Sequence, residues 1–301
     1  MTTNQKLPIV LAHGIARFDI LRENLKSKFH IPDNEVDERL QYFKGIKSHL
    51  ETPPHEFNVF RTNQDFAGSV ELRAEQLRDR INEITTSTGA SKVHIIAHSM
   101  GGLDARHMIV DKGMADKVAS LTTIGAPHLG TILADHVINH GGVFLIEGLS
   151  RVIDLDGFAD LTVAACQQFN SRAEDEEARN GVLYQTYASF EQLNQVFAPL
   201  IPSWLFIRDH EGRNDGLVPF KSQQWKSELV AHDGSRKTVL QREFPLPADH
   251  LNQVGWWDPQ EVINPFKSLT NIVKEAEDYE SKIRNVYLDI AQNLQLTNPL
   301  Q

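Results

Sequence analysis

The sequence predicts an α/β protein built on one mostly parallel central sheet with helices on both faces. Three observations carry this. Short apolar runs recur along the chain, as expected of strands buried on both faces: "LPIVLA" at 7–12, "VHIIA" at 93–97 and "VASLTTIGA" at 118–126. Amphipathic stretches of helical period lie between them. The resulting order, β, β, α, β, α, β, needs crossover connections, and crossovers join parallel strands.

Each element has its own justification. "FNVF" (57–60) is a second strand. "SVELRAEQLRDRINEI" (69–84) places Val70, Leu77, Ile81 and Ile84 close to helical spacing, with charges between. "GLDARHMIVDK" (102–112) continues the third strand's turn as a helix. "VLYQTYASF" (182–190) is a fifth strand and "RKTVLQREF" (236–244) a weaker sixth. No strand is evident between 131 and 180. There, "GGVFLIEGLSRVIDL" (141–155) puts Leu145, Leu149, Val152 and Ile153 on one helical face. It fits an ordinary core-facing helix or a mobile cover over a site. The domain expectation is therefore a single domain over 1–301 with a helical cap insertion at 131–180. A second apolar cluster, "VFAPLIPSWLFI" (196–207), has no sheet role. Residues 268–296 carry Ile272, Ala276, Tyr279, Ile283, Val286, Ile290 and Leu294 at steps of three and four. They read as one long amphipathic helix or two shorter ones, packed against the domain or used in a dimer contact.

Composition narrows the function classes. The chain has 301 residues, is 41% hydrophobic and 23% charged, and carries a net charge of −10. That acidity argues against a nucleic-acid partner. Cys166 is the only cysteine, so no intrachain disulfide is expected. The start, "MTTNQKLPIVLAHG", lacks a basic region followed by an apolar core and a small-residue cleavage site. The longest apolar stretch, 196–207, contains two prolines and is too short to span a bilayer. The expectation is a cytoplasmic protein, or one exported without an ordinary signal peptide, with no transmembrane segment.

The chemistry concentrates at "VHIIAHSMGGLDARH" (93–107), where a strand turns sharply into a helix. A serine hydroxyl is a weak nucleophile unless it is exposed, oriented and given a base. Ala97-His98-Ser99-Met100-Gly101 has the form of a nucleophile elbow, with Ala at the position usually held by Gly. The bland alternative is a serine capping a helix in a tight turn. The acid and the base should follow in the order Ser, Asp or Glu, His. His250 stands in "LPADHLNQV", after the sixth strand. Asp215 stands in "GRNDGLVPF", with Asp209 and Asp249 as rival acids. Asp249 is adjacent to His250 and poorly placed to bond its ring; spacing does not separate Asp215 from Asp209. The backbone amides of Met100 and of Ile15, in the loop after the first strand, are the expected oxyanion donors. His13 should brace that loop, and His128 should belong to loop structure. His136 and His140 have metal-like spacing, but a solvated helix face explains them better.

Together "PIVLAHG" (8–14), "IAHSMGG" (96–102), "TIGAPHLGT" (123–131), "NDGLVP" (214–219) and "DHLNQV" (249–254) resemble the bacterial triacylglycerol lipases of the Pseudomonas/Burkholderia type, within the α/β-hydrolase fold. The elbow itself looks more like that of the small Bacillus lipases. The likeness runs over about residues 7–270. It implies a carboxylic-ester hydrolase with Ser99 as nucleophile, Asp215 as acid, His250 as base, and the Ile15 and Met100 amides as oxyanion donors. Many of those lipases hold a structural calcium with an aspartate two residues after the histidine. This chain has the neutral Asn252 there, and no upstream aspartate matches the second ligand. No cofactor and no structural calcium are therefore expected.

The function expected is ester hydrolysis, as a lipase on medium-to-long acyl esters. The alternatives on the same triad are a short-chain esterase, a thioesterase or an acyltransferase; outside catalysis, a lipid-binding module. The partner expected is a lipid or small ester, with transient contact at a lipid–water interface. The oligomeric state is left open.

Overall fold

A computed structural model describes residues 6–15, 41–65, 68–140, 156–256 and 269–296. The expected helix at 141–155 lies outside the described residues. Among the described residues six strands form the main sheet: β1 (Ile9–Ala12), β2 (Val59–Arg61), β3 (Val93–His98), β4 (Val118–Ile124), β5 (Leu183–Ala188) and β8 (Leu240–Glu243). Their spatial order is β2-β1-β3-β4-β5-β8. Every pairing among them is parallel.

Alternation along the central strands feeds two cores. Ile9 and Leu11 of β1 join Ile96 and Ile124 on one face; Val10 and Ala12 join Ile95, Ala97 and Leu121 on the other. This is the period-two geometry of a strand. The second face is covered by helix α2 (Val70–Thr88) and helix α3 (Met100–Asp111). Ser69 caps α2 by accepting from the Leu72 amide, and Gly89 ends it in the left-handed region at φ 70°. The first face is covered by α1 (Ile46–Glu51), α4 (Ile132–His140), α6 (Ile201–Glu211) and the C-terminal helix α8 (Leu269–Leu296). A short α7 (Phe220–Gln223) lies under β5, where Thr186 Oγ1 donates to the Gln223 carbonyl at 2.6 Å.

Helix α5 (Val163–Arg179) lies inside the segment expected as a cap, yet it is the crossover between β4 and β5. Its Glu177 is fully buried and receives Arg106 of α3 through two bonds, at 2.8 and 2.9 Å. The expected sixth strand is two. Residues 236–238 form β7, antiparallel to β6 (Glu228–Val230), whereas β8 alone joins the main sheet. The break falls at Val239, which turns inward, 1% exposed. The expected one or two C-terminal helices are one, Leu269–Leu296. No described helix is long and apolar enough to cross a membrane.

The strand order reverses between β1 and β3. The chain leaves β1 toward β2 on one side and β3 toward β4 on the other. Such a switch opens a crevice at the carboxyl ends of the two strands. The loop after β1 and the turn after β3 both lie there.

Candidate active site

Ser99 closes β3 and opens α3. Its backbone is left-handed for a non-glycine residue, φ 57° and ψ −136°. Residues hold such angles only where their surroundings impose them. Here the neighbouring glycines do so. A Cβ on Gly101 would lie 2.7 Å from the carbonyl oxygens of Ala12 and His13, and one on Gly102 would lie 2.7 Å from Ala126 Cβ. α3 can therefore press against the ends of β1 and β4. A Cβ on Gly14 would come 2.6 Å from Ser99 Cβ, so the loop after β1 passes directly over the serine. The Ser99 side chain makes no capping bond to α3.

Its hydroxyl instead meets His250 Nε2 at 2.8 Å, and His250 Nδ1 meets Asp215 Oδ2 at 2.8 Å. A carboxylate only accepts, so Nδ1 carries the hydrogen and Nε2 accepts from the serine. Asp215 is fully buried, and its other oxygen accepts from the amides of Leu217, at 3.0 Å, and Val218, at 2.8 Å. The Asp-Gly turn that could have been mere turn chemistry thus grips the carboxylate. The His250 amide also donates to the Asp215 carbonyl at 2.8 Å, joining the two loops.

Asp209, the rival acid, is exposed on α6 and paired with Arg208. Asp249 faces away from the serine. Its oxygens accept from the Leu251 and Asn252 amides and from the Phe197 amide, at 2.7–2.9 Å. Burial pushes its carboxyl up to about 7. Asn252 uses both ends of its amide internally, donating to the Trp256 carbonyl at 2.7 Å and accepting from the Asp249 amide at 3.3 Å. Both side chains are thus committed to backbone partners.

Ile15 and Ser99 border a cavity of about 20 Å³, walled by Pro127, Phe158, Leu161, Leu217 and Val218. It has room for roughly one water. The 196–207 cluster does not line it. Val196, Leu200, Trp204 and Ile207 are buried in the core instead. The turn at 156–161 supplies the apolar wall. Met100 is the first residue of α3, so its N–H is one of the amides that helix geometry leaves unused. His13 is buried with Nδ1 2.8 Å from the Gly14 carbonyl. His128 is buried elsewhere, against Thr123 and stacked on Trp225. His136 and His140 stack at 4.9 Å on α4. Among the described residues no group of three or more His, Cys, Asp or Glu could hold a metal.

Two features escaped the sequence reading. Arg73, fully buried on α2, donates to the His13 carbonyl at 2.6 Å and to Asp104 at 2.7 Å, anchoring the loop after β1. The signal was present: Arg73 lies three residues after Val70, on the apolar stripe of its helix, where a charge needs a buried partner. The second is a chain of contacts behind the acid. Gln253 Nε2 meets Asp215 Oδ2 at 2.9 Å, Gln253 Oε1 meets His98 Nε2 at 3.0 Å, and His98 Nδ1 meets the Tyr42 hydroxyl at 2.6 Å. Nothing local in the sequence marks it.

Relatives bear on this arrangement. A triacylglycerol lipase of Vibrio cholerae is 34% identical over 248 residues, which span 72% of this chain and 73% of that protein. The chain belongs to the triacylglycerol lipase family. Triacylglycerol lipase 2 of Saccharomyces cerevisiae is 26% identical over 96% of this chain and 91% of its own length. Residues 55–141 match the family model of a PGAP1-like alpha/beta domain. Among solved structures, the mature Bacillus licheniformis lipase BlEst2 superposes with a TM-score of 0.56 at 16% identity, covering 82% of this chain and 85% of that one. A metagenomic carboxyl esterase, MGS0156, gives 0.58 at 15% identity over 95% and 76%. These neighbours share the α/β-hydrolase fold with this lipase-family chain. The Pseudomonas/Burkholderia subgroup is not singled out, since the yeast and Vibrio proteins match over more of the chain.

Proposed function

We propose that this lipase-family protein hydrolyses carboxylic esters of lipids, triacylglycerols with medium-to-long acyl chains, through an acyl-enzyme on Ser99. The observation that carries the reading is the unbroken line Ser99 Oγ, His250, Asp215, with both contacts at 2.8 Å, beside an apolar cavity. His250 Nε2 takes the hydroxyl proton as Oγ attacks the ester carbonyl. Asp215 holds the imidazole tautomer and stabilises the imidazolium that forms. The carbonyl oxygen becomes an oxyanion, received by the Met100 and Ile15 amides; loss of one such donor costs about 2.7–4 kcal/mol in related chemistry. His250 then gives its proton to the leaving alcohol. In the second half it activates water, which releases the acid and restores Ser99. The apolar wall of Phe158, Leu161, Leu217 and Val218 suits an acyl chain.

The test combines a fluorophosphonate probe with a p-nitrophenyl ester assay and an emulsified triglyceride. The probe should label Ser99, and Ser99→Ala should abolish both labelling and hydrolysis with circular dichroism unchanged. Hydrolysis retained within a few-fold in a folded Ser99→Ala protein would overturn the assignment. Preference for an acyl thioester over its oxygen ester would move the reading to a thioesterase.

A further inference from the structure

We propose that Tyr42, His98 and Gln253 form a positioning strut that sets the loop carrying the Ile15 amide and the Asp215 carboxylate in one register. The inference rests on the serine-hydrolase reading above, which uses none of the three.

The strut has a single hydrogen-bond sense. Asp215 only accepts, so Gln253 must turn its Nε2 toward it. Gln253 Oε1 then faces His98, and the hydrogen of His98 sits on Nε2. His98 Nδ1 is left to accept from the Tyr42 hydroxyl. The Tyr42 oxygen in turn packs against Gly14, the residue before Ile15. Donors and acceptors match from Tyr42 to Asp215 without a gap.

Burial makes this order hard to change. His98 and Gln253 are fully buried and Tyr42 nearly so. Burial, followed by the neighbouring His250, holds His98 well below the usual histidine range, and burial raises the Tyr42 phenol. All three groups are therefore neutral. The fit is close: a Cβ on Gly14 would lie 2.8 Å from the Tyr42 oxygen, and one on Gly125 would lie 2.1 Å from Gln253 Oε1. The two ends of the strut are the two halves of the site. At one end Asp215 receives its fourth hydrogen bond, which completes the acceptor capacity of the carboxylate. At the other end, Gly14 passes over Ser99. The middle residue, His98, precedes Ser99 in β3, and its ring centroid is 4.6 Å from that of His250.

This predicts more than a packing role. The titratable groups facing His250 are Asp215 and the neutral His98, while Asp249 turns its carboxylate to backbone amides. Without the Gln253 donor, the Asp215 carboxylate has one hydrogen bond fewer and turns more of its charge to the imidazole ring. The acid limb of kcat/KM should move upward. KM should hold, because none of the three lines the cavity beside Ser99.

The experiment compares pH–rate profiles of the full-length protein, Gln253→Met and Tyr42→Phe on p-nitrophenyl butyrate. Gln253→Met should lower kcat about ten- to a hundred-fold through misalignment, with KM within about two-fold. Its acid limb should rise by on the order of half a pH unit, and Tyr42→Phe should move the same way by less. Superimposable profiles in folded variants, or a loss carried wholly by KM, overturn the strut. Should Gln253→Met fail to fold, Tyr42→Phe decides by the same criterion. Fluorophosphonate labelling separates the two failures. No label on wild-type Ser99 overturns the serine reading and the strut with it; a labelled Ser99 with unmoved profiles overturns the strut alone.

Discussion

At the scale of single residues, Ser99 illustrates a conflict between local preference and site geometry. A side chain at φ 57° and ψ −136° is held against its own preference by α3, β1 and β4. Such conformations cost about 1–3 kcal/mol. Glycine adopts them freely, so Ser99→Gly should unfold at higher urea than Ser99→Ala by roughly 1 kcal/mol. Equal midpoints would show that the turn is unstrained. The choice of acid gives a second prediction. Asp215→Asn should lower kcat by about four orders of magnitude, by forcing the wrong imidazole tautomer. Asp209→Asn, on an exposed ion pair, should stay near wild type. The reverse ranking in steady-state assays would exchange their roles. The sharp turn at Ser99 was legible because an elbow is a local pattern, six buried strand residues and then glycines. The carboxylate that meets His250 was legible only as one of two, since spacing along a chain does not say which carboxylate faces inward. Tyr42 and Gln253 were not legible at all. They meet through His98 across separations of 56 and 155 residues, set by the completed fold.

At the scale of elements, the strands with continuous apolar runs were readable because burial on both faces leaves one pattern. The edge was not. β7 and β8 share one alternating run, and only the inward turn of Val239 assigns them to different sheets. Within α2, Arg73 joins helix to helix by its ion pair with Asp104 on α3, both fully buried. Asp104 accepts at Oδ2, its Oδ1 has no hydrogen-bond partner among the described residues, and burial raises this carboxyl to about 6. Arg73→Ala should therefore cost about 3–5 kcal/mol, because it strands a buried carboxylate. Adding Asp104→Ala should recover part of that loss. Strictly additive losses across the four urea melts would deny the coupling. Asp249 gives a pH dependence. Its folded carboxyl, raised by burial to about 7 from an ordinary 3.8, favours the protonated form. Its contribution is full below 3.8 and fades as pH rises through about 7. Against Asp249→Asn, wild type should lose melting temperature progressively between those values. A constant offset across the window would show that the group stays ionised.

At the scale of the molecule, two cores hold the candidate site at the switch between β1 and β3, and the remaining question is what enters it. The cavity beside Ser99, about 20 Å³, accepts no acyl chain as it stands. One wall of it is the turn at 156–161. Phe158 and Leu161 pack inward there, while Asp160 accepts from the Val70 amide at 2.8 Å and the Leu161 carbonyl from the Thr131 amide at 2.9 Å. These few tethers are weaker than the sheet ladder beneath them. A lipid–water interface would compensate the exposure of the two apolar side chains, whereas water would not. Hydrolysis of triglyceride should therefore rise sharply above its solubility limit. Each further buried CH₂ contributes up to about 0.8 kcal/mol, so kcat/KM should climb from acetyl through butyryl to octanoyl esters until the groove fills. Phe158→Ala enlarges the cavity without touching Ser99, His250 or Asp215. It should raise kcat/KM on soluble butyryl ester several-fold and flatten the jump at the solubility limit. A steep fall beyond butyryl in wild type, with no rate on emulsions and no response to Phe158→Ala, would make the wall at 156–161 a fixed part of the core and the protein an esterase of short chains.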